Sequence, residues 1–135
     1  MTNRTRMSLF QRGQGGPARV TVREAAVRTV HARAAGNSAT SVLLDIREAD
    51  EWQAGHAPGA VHLTLAALAA GAGLPAEAQA GPVIVICRSG RRSQRAAELL
   101  RARGVEAVDV MGGMQEWARA GLPVVDTRGG NGTVA

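Results

Sequence analysis

Lysine and tyrosine are absent from this 135-residue chain, its aromatic residues are two tryptophans and one phenylalanine, and it has one cysteine, Cys87. A single thiol can close no internal disulfide, and without Cys/His clustering the chain lacks the ligand set of a zinc site. A reducing compartment suits the thiol. No stretch approaches the roughly 20 apolar residues needed to span a bilayer, and the basic segment 1–19 has no apolar centre of the signal-peptide kind. A cytoplasmic protein without membrane contact is the expectation. All sixteen basic residues are arginine and the net charge is +5. These arginines are scattered except for a group after Cys87, and so few aromatics could stack on bases that nucleic acid is not an expected partner. A small anionic ligand accounts better for the local cluster.

The length suits one domain with its own core. Residues 1–17 are rich in Arg, Gly and Gln without hydrophobic period and read as a disordered extension; 126–135 read as a flexible Gly-rich tail. The folded unit is expected over 18–125, as a monomer or homodimer.

Within it, Thr21-Val22-Arg23-Glu24 has the form of a capping box, opening a helix that Gly36 closes. Strands are expected over 41–46, 60–63, 83–86 and 105–110, and helices over 49–54, 65–70, 93–103 and 114–120. The continuous apolar run Val83-Ile84-Val85-Ile86 suits a strand covered on both faces. Such alternation implies an α/β fold, a small mainly parallel sheet flanked by helices on both faces. Ligands of such sheets sit beyond the carboxyl ends of the strands, which is where Cys87 falls.

Cys87 follows that run directly and leads into Arg88-Ser89-Gly90-Arg91-Arg92-Ser93, after which a helical pattern begins. A lone cysteine after four apolar residues is by position alone more often a small core hydrophobe. The loop reverses that reading, because a helix N-terminus offers unpaired N–H groups and about half a positive charge, which favour sulfur as thiolate. A reactive nucleophile is expected.

Three blocks carry a family resemblance. Leu43-Leu44-Asp45-Ile46-Arg47-Glu48, continuing to Glu51-Trp52-Gln53-Ala54-Gly55-His56-Ala57-Pro58-Gly59-Ala60, resembles the N-terminal signature of the rhodanese family. The Cys87 to Ser93 loop resembles its active-site loop. Met111-Gly112-Gly113-Met114-Gln115-Glu116-Trp117 with Gly121-Leu122-Pro123-Val124 is similar to its C-terminal signature. The resemblance covers nearly all of the expected domain. It implies a thiosulfate sulfurtransferase in which Cys87 takes a sulfane sulfur from a small anionic donor, becomes a persulfide, and passes the sulfur to a thiophilic acceptor: cyanide, a thiol or a protein. The N–H groups of residues 88–93 would then form a nest for the anionic sulfur, and Gly90 would let the backbone curl inward. Arg88, Arg91 and Arg92 would supply positive charge, with Arg88 able to point outward, and the resemblance implies that no metal or organic cofactor is needed.

The family's D-x-R pair falls on Asp45 and Arg47, readable equally as substrate contact or as an ion pair tying a strand end to a loop. His56 matches the family's G-H-x-P-G histidine and reads mainly as a hydrogen-bond post. His31 and His62 do not rise above background. Trp52 and Trp117 read as core anchors.

Two other functions compete. A phosphatase or arsenate reductase of the same fold would need an arginine six positions after the cysteine, whereas this chain has Ser93 there and Arg92 one short. A non-catalytic binding or redox-sensing module is the other, although inactive family members commonly lack the cysteine that this chain keeps.

Overall fold

The apolar run Val83–Ile86 forms the central strand of a five-stranded sheet. The computed structural model describes residues 18–36 and 41–135, so the expected extension over 1–17 lies outside the described residues. β1 (Arg19–Val20), β2 (Val42–Asp45), β3 (Val61–His62), β4 (Val83–Ile86) and β5 (Ala107–Val110) lie in the order β1-β5-β4-β2-β3. Every pairing is parallel. The three central strands β2, β4 and β5 are buried over nearly their whole length, which explains why, apart from Asp45 and Asp109, their sequences run apolar rather than alternating.

Among the described residues six α-helices flank the sheet: α1 (Val22–Arg28), α2 (Val30–Ala34), α3 (Ala49–Ala54), α4 (Leu65–Ala69), α5 (Arg92–Ala102) and, after the last strand, α6 (Gly113–Arg119). The capping box at Thr21 is formed, with Glu24 N–H donating to Thr21 Oγ1 at 3.1 Å and Thr21 N–H to Glu24 Oε1 at 3.0 Å. Such a cap is worth about 1 kcal/mol. The helix expected to run on to Gly36 breaks at Thr29, whose backbone leaves the helical region and whose hydroxyl donates to Ala25 O at 2.8 Å. Back-bonding of this kind competes with the helical ladder. The edge strand β1 was not expected, since two residues show no period.

Successive side chains along a strand point to opposite faces. Ile84 and Ile86 thus join the cluster under α1 and α6, which includes Val22, Ala26, Met114 and Trp117, whereas Val83, Val85 and Cys87 join Leu68, Ala96 and Leu100 under α4 and α5. Cys87 continues the period of β4 onto the α5 face. Trp117 is fully buried, and its indole N–H donates to Pro123 O at 2.8 Å, the arrangement expected of an anchor.

The segment read as a flexible tail makes specific contacts. Gly132 N–H donates to Val124 O at 3.0 Å and Thr133 N–H to Ala54 O at 2.9 Å, beside the antiparallel bridge between His56 and Val125 of the domain itself. Gly132 lies against Gly55 so closely that a Cβ on Gly132 would fall 2.8 Å from the Gly55 Cα.

Candidate functional site

The thiol of Cys87 lies just past the carboxyl end of β4, where the chain turns through residues 88–91 into α5. Gly90 N–H donates to its sulfur at 3.1 Å and Ser93 N–H at 3.3 Å, while the Ser93 hydroxyl oxygen lies 3.4 Å away. Cys87 has no exposed surface in this conformation. Gly90 has φ +94°, and a Cβ there would stand 2.9 Å from Gly112 N, so only glycine lets the turn close over the sulfur.

The N-terminus of α6 fixes the other side of the turn. The first N–H groups of a helix have no partner within it. Here Met114 N–H donates to Cys87 O at 2.8 Å and Gln115 N–H to Arg88 O at 2.9 Å. Because a trans peptide points its N–H opposite to its C=O, pinning these carbonyls turns the N–H groups of Arg88 and Ser89 away from α6. Gly113, at φ +57°, permits the approach: a Cβ on it would fall 2.6 Å from Arg88 O. The Gly112-Gly113 pair is therefore the floor of the loop as well as a turn.

Two residues outside the three family-like blocks, Arg19 and Asp109, complete the surroundings of the sulfur. Asp109 on β5 is 1% exposed and shares the Cys87 face of the sheet. It accepts the Ser93 hydroxyl at Oδ2 (2.7 Å) and Arg19 at both oxygens, Nε to Oδ1 2.9 Å and Nη2 to Oδ2 3.1 Å. Arg19 is the register partner of Asp109 across β1 and β5, and its Nη2 also donates to Gly90 O at 2.9 Å. A charge inside the buried strand Ala107-Val108-Asp109-Val110 was the one legible signal of this link.

The arginines of the loop diverge. Arg92 pairs both nitrogens with Glu51 of α3, at 2.9 and 3.0 Å. The hydrogen bond from Arg92 holds the Glu51 carboxyl below the usual range, with burial opposing and the Glu48 N–H assisting. The bond to Glu51 likewise raises Arg92, with burial opposing and the nearby charges of Glu51 and Glu48 assisting. Arg88 is exposed and donates from Nε to Ala135 O at 2.7 Å. Ser89 and Arg91 are exposed on the rim, and among the described residues no carboxylate pairs with Arg91.

Asp45 and Arg47 are both fully buried. Arg47 donates from Nε and Nη2 to the Asp45 carboxylate (2.8 Å at the shortest) and from Nη2 to Gly55 O at 2.6 Å, while its Nη1 has no hydrogen-bond partner. Its reach thus ties the end of β2 to the end of α3. His56 donates from Nδ1 to Trp52 O at 2.7 Å, since a carbonyl can only accept. Trp52, expected as a core anchor, is only half-buried, and its ring stacks on His56 at 3.6 Å between centroids and on His62 at 4.8 Å. His62, passed over in the sequence, donates from Nε2 to Arg47 O at 2.8 Å. Among the described residues no group of three or more His, Cys, Asp or Glu could hold a metal ion, and no helix is long and apolar enough to cross a membrane.

The arrangement presents one sulfur to converging N–H donors, with the exposed Arg88 and Arg91 on its rim. Comparison with known proteins bears on the family and the fold. YrkF of Bacillus subtilis (strain 168), named as a candidate sulfur carrier protein, is 37% identical over 76 residues, covering 56% of this chain and 40% of that protein. The chain thus spans well under half the length of that relative. Among solved structures, a rhodanese-related protein from Thermoplasma volcanium superposes with a TM-score of 0.62 at 26% identity, over 78% of this chain and 95% of the other. A rhodanese-like domain protein from Staphylococcus aureus gives 0.60 at 25% identity, over 73% and 89%. The model of the rhodanese-like domain matches residues 28–120, from the last turn of α1 through α6, and the chain belongs to that family.

Proposed function

We propose that this domain is a sulfurtransferase of the thiosulfate type with Cys87 as its covalent carrier. The observation that carries the reading is the pair of backbone N–H groups, Gly90 and Ser93, aimed at the Cys87 sulfur from a glycine turn at a helix start. Donors so placed stabilise negative charge on sulfur, which both the attacking thiolate and the resulting persulfide carry. In the first half-reaction the thiolate attacks the sulfane sulfur of thiosulfate or a similar anion. A new S–S bond forms, the old one breaks, and sulfite leaves with the electron pair. In the second, a nucleophilic acceptor attacks the outer sulfur and Cys87 leaves as thiolate. Splitting one transfer into two displacements is what covalent catalysis achieves.

The acceptor is a thiophile: cyanide in an assay, a thiol, or a protein. The name of the Bacillus relative supports a protein acceptor. Phosphate chemistry is disfavoured because Ser93 stands six positions after Cys87 and is tied to Asp109 rather than presenting a cation. Arg91 is placed to meet an anionic donor at the rim. Asp45, Arg47 and His56 serve by holding β2, α3 and the 56–57 turn in place.

Intact-mass spectrometry after thiosulfate treatment tests the reading. Wild type should gain one sulfur, removable by dithiothreitol or cyanide, and Cys87→Ser should gain none. No gain with thiosulfate, mercaptopyruvate or glutathione persulfide would instead favour a binding or redox-sensing module.

A further inference from the structure

The Ser93 hydroxyl stands between two groups that both want its single hydrogen. Asp109, as a carboxylate, can only accept, so at 2.7 Å the hydrogen lies on the line from Ser93 Oγ to Asp109 Oδ2. The face of Oγ turned to Cys87, 3.4 Å away, then carries lone pairs. That suits a thiol, which can donate S–H to the oxygen. It opposes a thiolate or persulfide, whose negative sulfur would face those lone pairs. Asp109 is not dependent on Ser93, because Arg19 donates to both of its oxygens.

We propose that the pair of half-buried Arg19 and buried Asp109 is a positioning element that sets the direction of the Ser93 hydroxyl and thereby controls how readily the Cys87 sulfur carries negative charge. In the resting thiol, Cys87 donates to Ser93 and Ser93 to Asp109. When the thiol proton is lost to solvent, the Ser93 hydrogen swings from Asp109 to the sulfur, and Arg19 alone satisfies the carboxylate. The sulfur then has three donors: Gly90 N–H, Ser93 N–H and Ser93 O–H. The inference rests on reading Cys87 as the reacting thiol, and it adds two residues, on β1 and β5, that touch no substrate.

The chemistry gives opposite signs for two substitutions. In Asp109→Asn the amide oxygen keeps the place of Oδ1 and the 2.9 Å bond from Arg19 Nε, so the amide nitrogen takes the place of Oδ2, gives up the 3.1 Å bond from Arg19 Nη2 and turns an N–H to Ser93 Oγ. The serine hydrogen is then free for the sulfur before any proton is lost. In Arg19→Gln the carboxylate loses its main partner and grips the Ser93 hydrogen more firmly, while Gln94 Nε2, at 2.8 Å, still holds Gly90 O.

The experiment is the pH profile of iodoacetamide alkylation of the full chain, in wild type, Asp109→Asn, Arg19→Gln, Ser93→Ala and the two double variants with Ser93→Ala. Alkylation at neutral pH is expected to rise about tenfold in Asp109→Asn, the size of one hydrogen bond to a charged group, with its profile moved to lower pH. It is expected to fall severalfold in Arg19→Gln. Both changes should vanish in the Ser93→Ala background. Equal changes with and without Ser93, or a folded Asp109→Asn variant no more reactive than wild type, would overturn the proposal. Should Asp109→Asn lose the cooperative thermal transition of wild type, the Arg19→Gln pair of variants decides alone. Alkylation needs no sulfur donor, so failure of persulfide formation and failure of this positioning role are separate results.

Discussion

The guanidinium of Arg92 lies against the carboxylate of Glu51 in a two-pronged pair, Nη1 to Oε1 at 2.9 Å and Nη2 to Oε2 at 3.0 Å. The second of the two arginines that end the loop therefore answers to a carboxylate on α3, 41 residues earlier. Its charge is largely balanced before any ligand arrives.

The two neighbouring arginines should consequently behave differently when removed. Arg91→Ala is expected to raise the KM for thiosulfate severalfold and flatten the salt dependence of the reaction, with little change in melting temperature. Arg92→Ala should mainly lower the melting temperature, since it frees Glu51 and unties α3 from α5. Steady-state kinetics at two ionic strengths, beside thermal melts, separates the cases.

The same pair predicts an acid dependence. The folded Glu51 carboxyl lies below its ordinary value of about 4.3, so its contribution is fully present above that value and is lost as pH falls through the folded one. Glu51→Gln should thus be less stable than wild type at pH 6 by about 1 kcal/mol or less, as befits a partly exposed pair. The difference should shrink below pH 4. Urea unfolding at several pH values measures it.

Gly113→Ala should damage the site more than its backbone strain alone predicts. Both Gly113 and Gly104 have positive φ, which costs a residue with a Cβ about 1–2 kcal/mol. At Gly104 the added methyl meets open space, whereas at Gly113 it runs into the carbonyls of Cys87 and Arg88. Gly104→Ala is expected to keep persulfide formation with a slightly lowered melting temperature. Gly113→Ala should lose most of it, read by mass spectrometry at a temperature where both variants are folded.

Asp45→Asn leaves the fully buried Arg47 guanidinium without its counter-charge. Breaking a buried pair on one side costs about 3–5 kcal/mol, so the urea midpoint should fall sharply. A merely substrate-binding role for Asp45 would instead leave the midpoint in place and alter KM.

How much of this was legible beforehand varies with the range of the interaction. Helix α3 begins and ends where the residue types said, at 49 and 54, because the turn of Gly55 and the box formed by Glu48 and Glu51 are local. Strand β4 spans the run Val83–Ile86 with no residue added or lost, because four apolar residues between Pro82 and Cys87 leave little alternative. β1 escaped notice since its two residues become a strand only by pairing with β5. Trp52 was read as core from its size, yet it lies half-exposed with two imidazoles on its ring, a contact that depends on where β3 delivers His62.

The sequence by itself determined the thiol at the end of a buried strand, the glycine that lets the loop close over it, and the helix that follows. These rest on apolar period, on allowed φ values and on unpaired N–H groups at a helix start, all properties of a few neighbouring residues. Only the tertiary structure decided which side chains surround the sulfur. Asp109 reaches Ser93 across 16 residues of chain and Arg19 across 90, because the order β1-β5-β4 sets those strands side by side. A charge finds its partner by distance in space, and that distance is fixed by how the strands are ordered.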